Sequence, residues 1–345
     1  MGIFSGCYGG CMGYRAASLL LVAALAAPVS AANDGAPVPA VVGGEFTYLV
    51  RKGDSLASIS ARFGVSEKVL AQDNRLAPPY RLKAGGRLKV YNLHLVPARL
   101  EDGILINIPQ RMLFVFRDAK VAASYPVALG RRDWQTPTGS FFVAQREKNK
   151  TWIVPPSIQE EMLREGKPVL TRVPPGPGNP LGAHWIGLSA PGYGIHGTNA
   201  PASIYRMRTH GCIRLHPNDA EALYEQVSLN MSVEIIYAPV LLGAPADGPI
   251  FIEVNPDVYN RGVEPLEVLH EIARASGLEQ QIDWTKAAIL VRAKDGVARE
   301  VGTVYGTEGG ENGGTIAGSK SRPAAVHEVR QPARAGAACF AEGTG

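Results

Sequence analysis

The order of apolar and polar residues changes character three times along the chain. Thr47-Tyr48-Leu49-Val50 alternates like a short strand, and Ser55 to Phe63 then places Leu56, Ile59 and Phe63 at helical spacing. Gly64 suits a helix C-terminal cap, Ser66 can cap a second short helix carrying Val69 and Leu70, and Arg87 to Tyr91 closes as a strand. This predicts a small α+β (βααβ) module over 46–92. From 102 to 238 the pattern turns to short β-rich runs broken by Gly and Pro: Ile104 to Ile108, Met112 to Phe116, Ala122 to Leu129, Gly139 to Ala144 and Val233 to Tyr237. Runs of this kind, without long helices between them, predict a mainly β domain built as a sandwich or barrel-like core. Its main helical pattern comes late, where Asn218 can cap a helix bearing Ala220, Leu223, Tyr224 and Val227. Between 248 and 300 a strand at Ile250 to Val254, a helix at Glu264 to Ala275 and a strand at Ala288 to Arg292 predict a small α+β appendage, in which nothing suggests catalysis.

A chain of 345 residues exceeds one ordinary domain, in keeping with these three regions. Its 46% hydrophobic content supports a sizeable core, and a formal charge of +4 without blocks of like charge gives no reason to expect nucleic acid as a partner. The ends differ from the middle. Arg15 precedes an apolar run from Ala16 to Ala27, followed by Pro28 and small residues around Ala31 and Ala32, which reads as a secretory signal peptide over 1–32. That run falls short of the roughly 20 residues needed to span a bilayer. An Ala/Pro/Gly-rich linker follows over 33–45. At the other end, 301–345 holds ten Gly and eight Ala with few bulky apolar residues, a composition that predicts a disordered tail.

Removing the leader would take Cys7 and Cys11 with it and leave Cys212 and Cys339, with Cys339 in the tail. Neither count nor spacing suggests a disulfide framework, so the expected exported protein carries a lone thiol at Cys212. That thiol lies in the most motif-like segment of the chain. Tyr193-Gly194-Ile195-His196-Gly197-Thr198-Asn199 is followed ten residues later by Thr209-His210-Gly211-Cys212-Ile213-Arg214-Leu215. A neighbouring imidazole can lower a thiol pKa or accept its proton, and a low-pKa Cys212 would label fast with a thiol reagent at neutral pH. Gly211 leaves the backbone beside Cys212 uncovered, so an N–H there can approach an oxyanion. Spacing alone leaves His196 and His210 both open as the base. A metal site built from His196, His210, Cys212 and His216 is a competing reading, although one Cys with three His lacks the usual paired ligand spacing. His94, His184 and His270 each stand alone and read as ordinary satisfied polar groups.

Two resemblances sharpen this picture. Tyr48-x-Val50, Gly53-Asp54-Ser55-Leu56, Ile59, Phe63-Gly64-Val65, Leu70, Asn74-x-Leu76 and the closing Leu82, Gly85, Leu88 and Val90 resemble a LysM domain, which implies binding of N-acetylglucosamine-containing glycans such as peptidoglycan. The His196 to Cys212 spacing of sixteen and the Thr209-His210-Gly211-Cys212 core resemble the signature of the L,D-transpeptidase (YkuD) family, and so do Gln135 to Phe141 and Pro175 to Gly182. That resemblance covers 102–238 and implies a YkuD-like β-sandwich with a short helix after the Cys motif. It implies Cys212 as the acyl-accepting nucleophile and His196 as its base. Thr209 would orient the base through its carbonyl or hydroxyl, and His210, Gly211 and Arg214 would shape the oxyanion and substrate region. Many family signatures carry Asn at the position of Arg214, which leaves the acceptor open.

The reaction so implied is acyl transfer from a peptidoglycan tetrapeptide stem to an amine, without metal or organic cofactor. The acceptor would be another stem, giving a 3-3 crosslink, or a lipoprotein or outer-membrane protein anchored to the wall; water would make the enzyme an L,D-carboxypeptidase. The LysM-plus-catalytic arrangement and the wording Ile-His-Gly-Thr-Asn-Ala-Pro resemble the enterobacterial-type branch that anchors lipoproteins, a resemblance that favours protein anchoring. The family also implies acylation of Cys212 by carbapenems. A reading of another class is a non-catalytic peptidoglycan-binding scaffold, against which the retained His196, Thr209, His210, Gly211 and Cys212 weigh. Export points to the periplasm.

Overall fold

The computed structural model describes residues 41–244 and 248–304. The expected signal peptide, most of the linker and the tail from 305 onward lie outside the described residues. In the first module, strands β1 (Val41–Val42) and β2 (Glu45–Leu49) precede helices α1 (Leu56–Phe63) and α2 (Glu67–Asp73), and β3 (Arg87–Tyr91) returns antiparallel to β2. The helix ends sit where the capping residues place them. Ser55 and Ser58 exchange side-chain bonds with each other's amides, a reciprocal capping box, and Gly64 ends α1 in the left-handed conformation at φ 68°. Ser66 Oγ accepts from the Val69 amide to start α2. Tyr48, Val50, Leu56, Ile59, Val69, Leu70, Leu88 and Val90 are buried together, so the positions picked out by period form the core. Asn74 ties α2 to β3, donating to the Leu70 and Lys89 carbonyls and accepting from the Lys89 amide.

After β4 (His94–Leu95), which pairs with β1, the β domain follows. It runs β5 (Gly103–Asn107), β6 (Met112–Arg117), β7 (Lys120–Gly130) and β8 (Gly139–Lys148), then an excursion made of β9 (Trp152–Ile153), α3 (Pro156–Arg164) and β10 (Arg172–Val173). It continues through β11 (His184–Leu188), β12 (Gly194–His196), β13 (Met207–Thr209), β14 (Ile213–Leu215), α4 (Pro217–Gln226) and β15 (Ser232–Ile236). The sheet order is β13-β7-β14-β12-β11-β8-β15-β5-β6, and β6 also pairs with β7, so the sheet closes on itself. Two long strands join its halves. The first part of β7 pairs with β6 and its end with β14, while β8 passes from β15 to β11 at Phe142/Val143. The two layers of the expected sandwich are therefore two halves of one bent sheet, with Ile104, Ile106, Leu113, Val127, Leu129, Val143, Ile186, Ile195, Ile213 and Val233 between them.

Three expectations need correction. Helix α4 is capped by His216, whose Nδ1 accepts from the Asn218 amide, and not by Asn218; Pro217, lacking an N–H, suits the first helical position. Helix α3 is an addition to the expected elements: its apolar face is limited to the half-buried Ile158 and Met162, and Glu161 is its one fully buried residue. The appendage also differs: its sheet is β16 (Val240–Gly243), β17 (Pro249–Val254) and, beyond α5 (Pro265–Ala275) and α6 (Trp284–Ala293), β18 (Ala298–Thr303). It therefore starts before 248 and extends past 300. The stretch Ala288 to Arg292 is helical, not a strand. Asp283 caps α6 by accepting from the Lys286 amide, and Ala287 and Val291, four apart, are buried while Ile289 is 56% exposed, a one-face pattern that only a helix gives. No helix of the described residues is long and apolar enough to cross a membrane.

The first module and the appendage meet at a buried polar knot. Val297 packs within the first module's core, and Tyr91 donates to the Ala298 carbonyl. Beneath them the fully buried Glu253 carboxylate accepts from the Leu95 amide at 2.7 Å, Gln110 at 2.9 Å, His94 Nδ1 at 3.0 Å and Asn255 at 3.2 Å. His94 Nε2 lies 2.9 Å from the carbonyl of Gly64, the α1 cap. The ring thus lies between two oxygen partners, the Glu253 carboxylate and the Gly64 carbonyl. His94 is accordingly the satisfied buried group expected of it, and it links three parts of the chain. Replacing Glu253 by Gln puts an NH₂ where donors already converge. The expected outcome is a loss of about 3–5 kcal/mol of stability, read as a lower denaturant midpoint; an unchanged midpoint would mean the knot is incidental.

Candidate active site

Strands β12 and β14 run parallel, with Ile195 beside Ile213 and His196 beside Arg214. Because side chains alternate along a strand, burying Ile195, Ile213 and Leu215 in the core turns His196, Cys212 and Arg214 to the opposite face. Two segments sixteen residues apart in sequence thus bring their chemistry to one surface. On the other side of β12, Trp185 of β11 is in register with His196 and stacks on it, with centroids 5.8 Å apart at 23°. A side chain at Gly194 would meet the Trp185 ring at 2.6 Å. Gly211 is constrained twice, by φ 105° and by the Tyr193 ring, 2.7 Å from where a Cβ would stand.

The turn that presents Cys212 is braced by hydroxyls. Thr209 Oγ1 accepts from the Gly211 amide at 3.2 Å and donates to the Cys212 carbonyl at 2.6 Å, while the Thr209 carbonyl accepts from the Arg131 amide. Thr209 thus shapes the turn, and the contact that orients the His196 ring comes from elsewhere: His196 Nδ1 lies 2.6 Å from the carbonyl of Gly197. A carbonyl only accepts, so it fixes the proton on Nδ1 and leaves Nε2 with the lone pair. Below the turn, Thr136 Oγ1 donates to the Gly211 carbonyl and accepts from the Gly130 amide. Tyr259 accepts from the Thr136 amide and donates to the Gly130 carbonyl. Tyr259 lies in the region from which no catalytic contribution was expected, and nothing in its local sequence marks this reach.

The electrostatics are those of a neutral pair. Burial, reinforced by the Arg214 charge, pushes the His196 pKa down to about 4 against the opposing pull of the Gly197 and Leu181 carbonyls. Burial raises the Cys212 thiol pKa, with the Gly194 amide and Arg214 opposing. Cys212 Sγ sits 3.5 Å from the Gly192 carbonyl. The thiol is therefore protonated at rest near neutrality, and the fast labelling expected of a low-pKa thiol is not what this environment favours. Arg214 donates to Ser203 Oγ at 3.0 Å, and its buried Nε has no hydrogen-bond partner.

His210 does not join His196. Its Nε2 lies 2.5 Å from Glu161 Oε2 on α3, and its ring stands edge-on to Trp134 at 5.0 Å. The other Glu161 oxygen accepts from Arg131. His216 caps α4, so the four residues of the metal reading do not converge, and among the described residues no group of three or more His, Cys, Asp or Glu is placed to hold a metal ion. In the 175–182 turn the buried Asn179 donates to the Lys150 carbonyl and accepts from the Leu181 amide, closing the excursion that carries α3. Gly197, Glu161 and Tyr259 were all missed in the sequence. The first acts through its backbone, and the other two come from distant segments.

Comparison with known proteins gives two family matches: an L,D-transpeptidase catalytic domain over residues 101–235 and a LysM domain over residues 48–90. YcfS of Escherichia coli K12, named as an L,D-transpeptidase, is 33% identical over 216 residues, which is 61% of this chain and 68% of YcfS. YkuD of Bacillus subtilis 168, similarly named, is 35% identical over 175 residues, covering 50% of this chain and 88% of YkuD. ErfK/SrfK of E. coli K12, also named as an L,D-transpeptidase, is 26% identical over 272 residues, 76% of this chain and 87% of its own length.

Proposed function

Because this chain belongs to the L,D-transpeptidase family, we propose that Cys212 is its nucleophile and His196 its base, acting on peptidoglycan stem peptides in the periplasm. The observation that carries this reading is that one sheet face holds both side chains, with the His196 proton pinned on Nδ1 by the Gly197 carbonyl. That tautomer is the one a base needs when its Nε2 is to receive the thiol proton.

The steps then balance around one proton. Cys212 Sγ attacks the carbonyl of the third stem residue as its proton passes to His196 Nε2, so charge separates only during attack. The Gly211 amide is engaged by Thr209, which leaves the Cys212 amide as the backbone donor we assign to the oxyanion. The tetrahedral intermediate collapses, the C–N bond to the terminal D-alanine breaks, and the leaving amine takes the proton from His196. A thioester remains. An incoming amine attacks it, gives its proton to His196, and expels the thiol, which is reprotonated. Thr136, Thr209 and Tyr259 hold the turn while this happens. The LysM module would keep the enzyme on glycan, and carbapenems would acylate the same sulfur.

Among acceptors we favour the amine of a lipoprotein or outer-membrane protein over a second stem, on the wording of the His196 segment given above. Mass analysis of products from disaccharide-tetrapeptide, offered together with stem peptides and an acceptor peptide ending in Lys, tests this. Attachment to the Lys peptide is expected; 3-3 dimers alone, or tripeptide alone from hydrolysis, would contradict it.

A further inference from the structure

Helix α3 is docked in an unusual way. An amphipathic helix normally buries an apolar stripe, yet here Ile158 and Met162 are only half-buried, Leu163 is 70% exposed, and the residue most buried is the carboxylate Glu161. The Glu161 carboxylate meets two cationic or donor groups that come from different places. Arg131, at the end of β7, reaches one oxygen, and His210, two residues before Cys212, reaches the other. Arg131 is itself held by Asp133 at 2.9 Å, and its amide bonds the Thr209 carbonyl of the cysteine turn. Trp134 closes the remaining side of the His210 ring.

We propose that Glu161 is a positioning residue for the acyl-transfer reaction: it orients His210 beside the cysteine turn, fixes the proton of that ring on Nε2, and seats the 149–183 excursion against the site. This rests on the assignment of Cys212 as nucleophile. A carboxylate is acceptor-only, so a neutral His210 satisfies it by donating from Nε2, and the lone pair is then on Nδ1. The carboxylate is kept in that role because the Arg131 bond holds its pKa below the usual range, helped by His210 and opposed by burial. Arg131 joins the same carboxylate to the turn through its own backbone. The position of the turn and the position of α3 are therefore not independent.

The test uses the full mature chain, wild type and Glu161→Gln. Gln keeps the size of the side chain; because Arg131 has no acceptor while a neutral imidazole has one, the Gln oxygen faces Arg131 and its NH₂ faces His210, whose Nε2 must then accept and give up its proton to Nδ1. D-alanine release from disaccharide-tetrapeptide gives kcat and KM, and ¹⁵N spectra of labelled histidine give the tautomer of His210 at a pH where the ring is neutral. We expect kcat to fall about 10- to 100-fold with KM little changed, the size of effect that mispositioning near a reacting centre produces. We also expect the wild-type ring to carry its proton on Nε2 and the variant ring to lose that preference, with Glu161→Asp recovering part of both. A tautomer that shifts without loss of turnover, turnover that falls without a tautomer shift, or neither change would each overturn the proposal. Failure of the nucleophile assignment is recognisable separately, because the wild type would then release no D-alanine.

Discussion

Replacing His196 by Gln is expected to lower kcat/KM for D-alanine release by about 10²- to 10⁴-fold, the usual contribution of a positioned general base. Gln is close in size and can still donate to the Gly197 carbonyl, so the strand pairing of β12 should survive while the proton acceptor is lost. The pH profile of the wild type gives this prediction its shape. With the imidazole pKa pushed down to about 4 by burial and by Arg214, and the thiol pKa raised by burial, the neutral pair dominates across a wide range. The acid limb of kcat/KM should therefore fall near 4, well below the ordinary imidazole value of 6.5. The same shift has a cost in stability. The unfolded chain takes up a proton on this ring as pH falls through 6.5, the folded chain only near 4, so native stability is full above 6.5 and declines between the two values. The loss amounts to about 3 kcal/mol for a shift of this size. His196→Gln should lose less stability over that interval than wild type, which unfolding midpoints at pH 7 and pH 4.5 can measure. An acid limb at 6.5 with no difference in acid stability would contradict the buried neutral imidazole.

Replacing Cys212 by Ala is expected to remove transfer altogether, because in the proposed reaction the sulfur forms the covalent bond to the stem peptide. Cys212 is the free cysteine among the described residues. Burial raises the thiol pKa, so in the proposed reaction its reactivity comes from the substrate bringing an electrophilic carbonyl to it while His196 takes the proton. A consequence is that a small alkylating reagent, which cannot use that alignment, is a poor reporter of competence here, whereas a reagent that mimics the scissile amide is a good one. Cys212→Ser should be nearly as inactive, since a hydroxyl is far less acidic than a thiol and a base with a pKa near 4 is weak.

Much of this arrangement is written in local sequence. Ser55, Gly64 and Ser66 announce the first module's helices because a cap needs only its immediate neighbours, and the strand at Arg87–Tyr91 falls where alternation puts it. The β runs of the larger domain are equally legible. Their closure is not, because β7 and β8 change partners mid-strand and nothing in a strand's alternation names the strand beside it. Helix α6 defeats the pattern for a different reason: Ala287 to Val291 is a short apolar run that fits either period, and the Asp283 cap decides it. The site divides in the same way. His196, Gly211 and Cys212 are visible as a motif, and once β12 pairs with β14, alternation about Ile195 and Ile213 puts the His196 and Cys212 side chains on one face. The group that orients the His196 ring is the Gly197 main-chain carbonyl, which leaves no side-chain signature, while the hydroxyl and carbonyl of Thr209 are both spent on the turn and on Arg131. Glu161 and Tyr259 reach the cysteine turn only after the chain has folded.

Intact-protein mass spectrometry of the purified protein after incubation with a carbapenem is the most direct test of acyl transfer through Cys212. Wild type should gain one drug-sized adduct, His196→Gln should gain it far more slowly, and Cys212→Ala should gain none; an adduct that persists on Cys212→Ala, or its absence from a wild type that still releases D-alanine, would contradict the account.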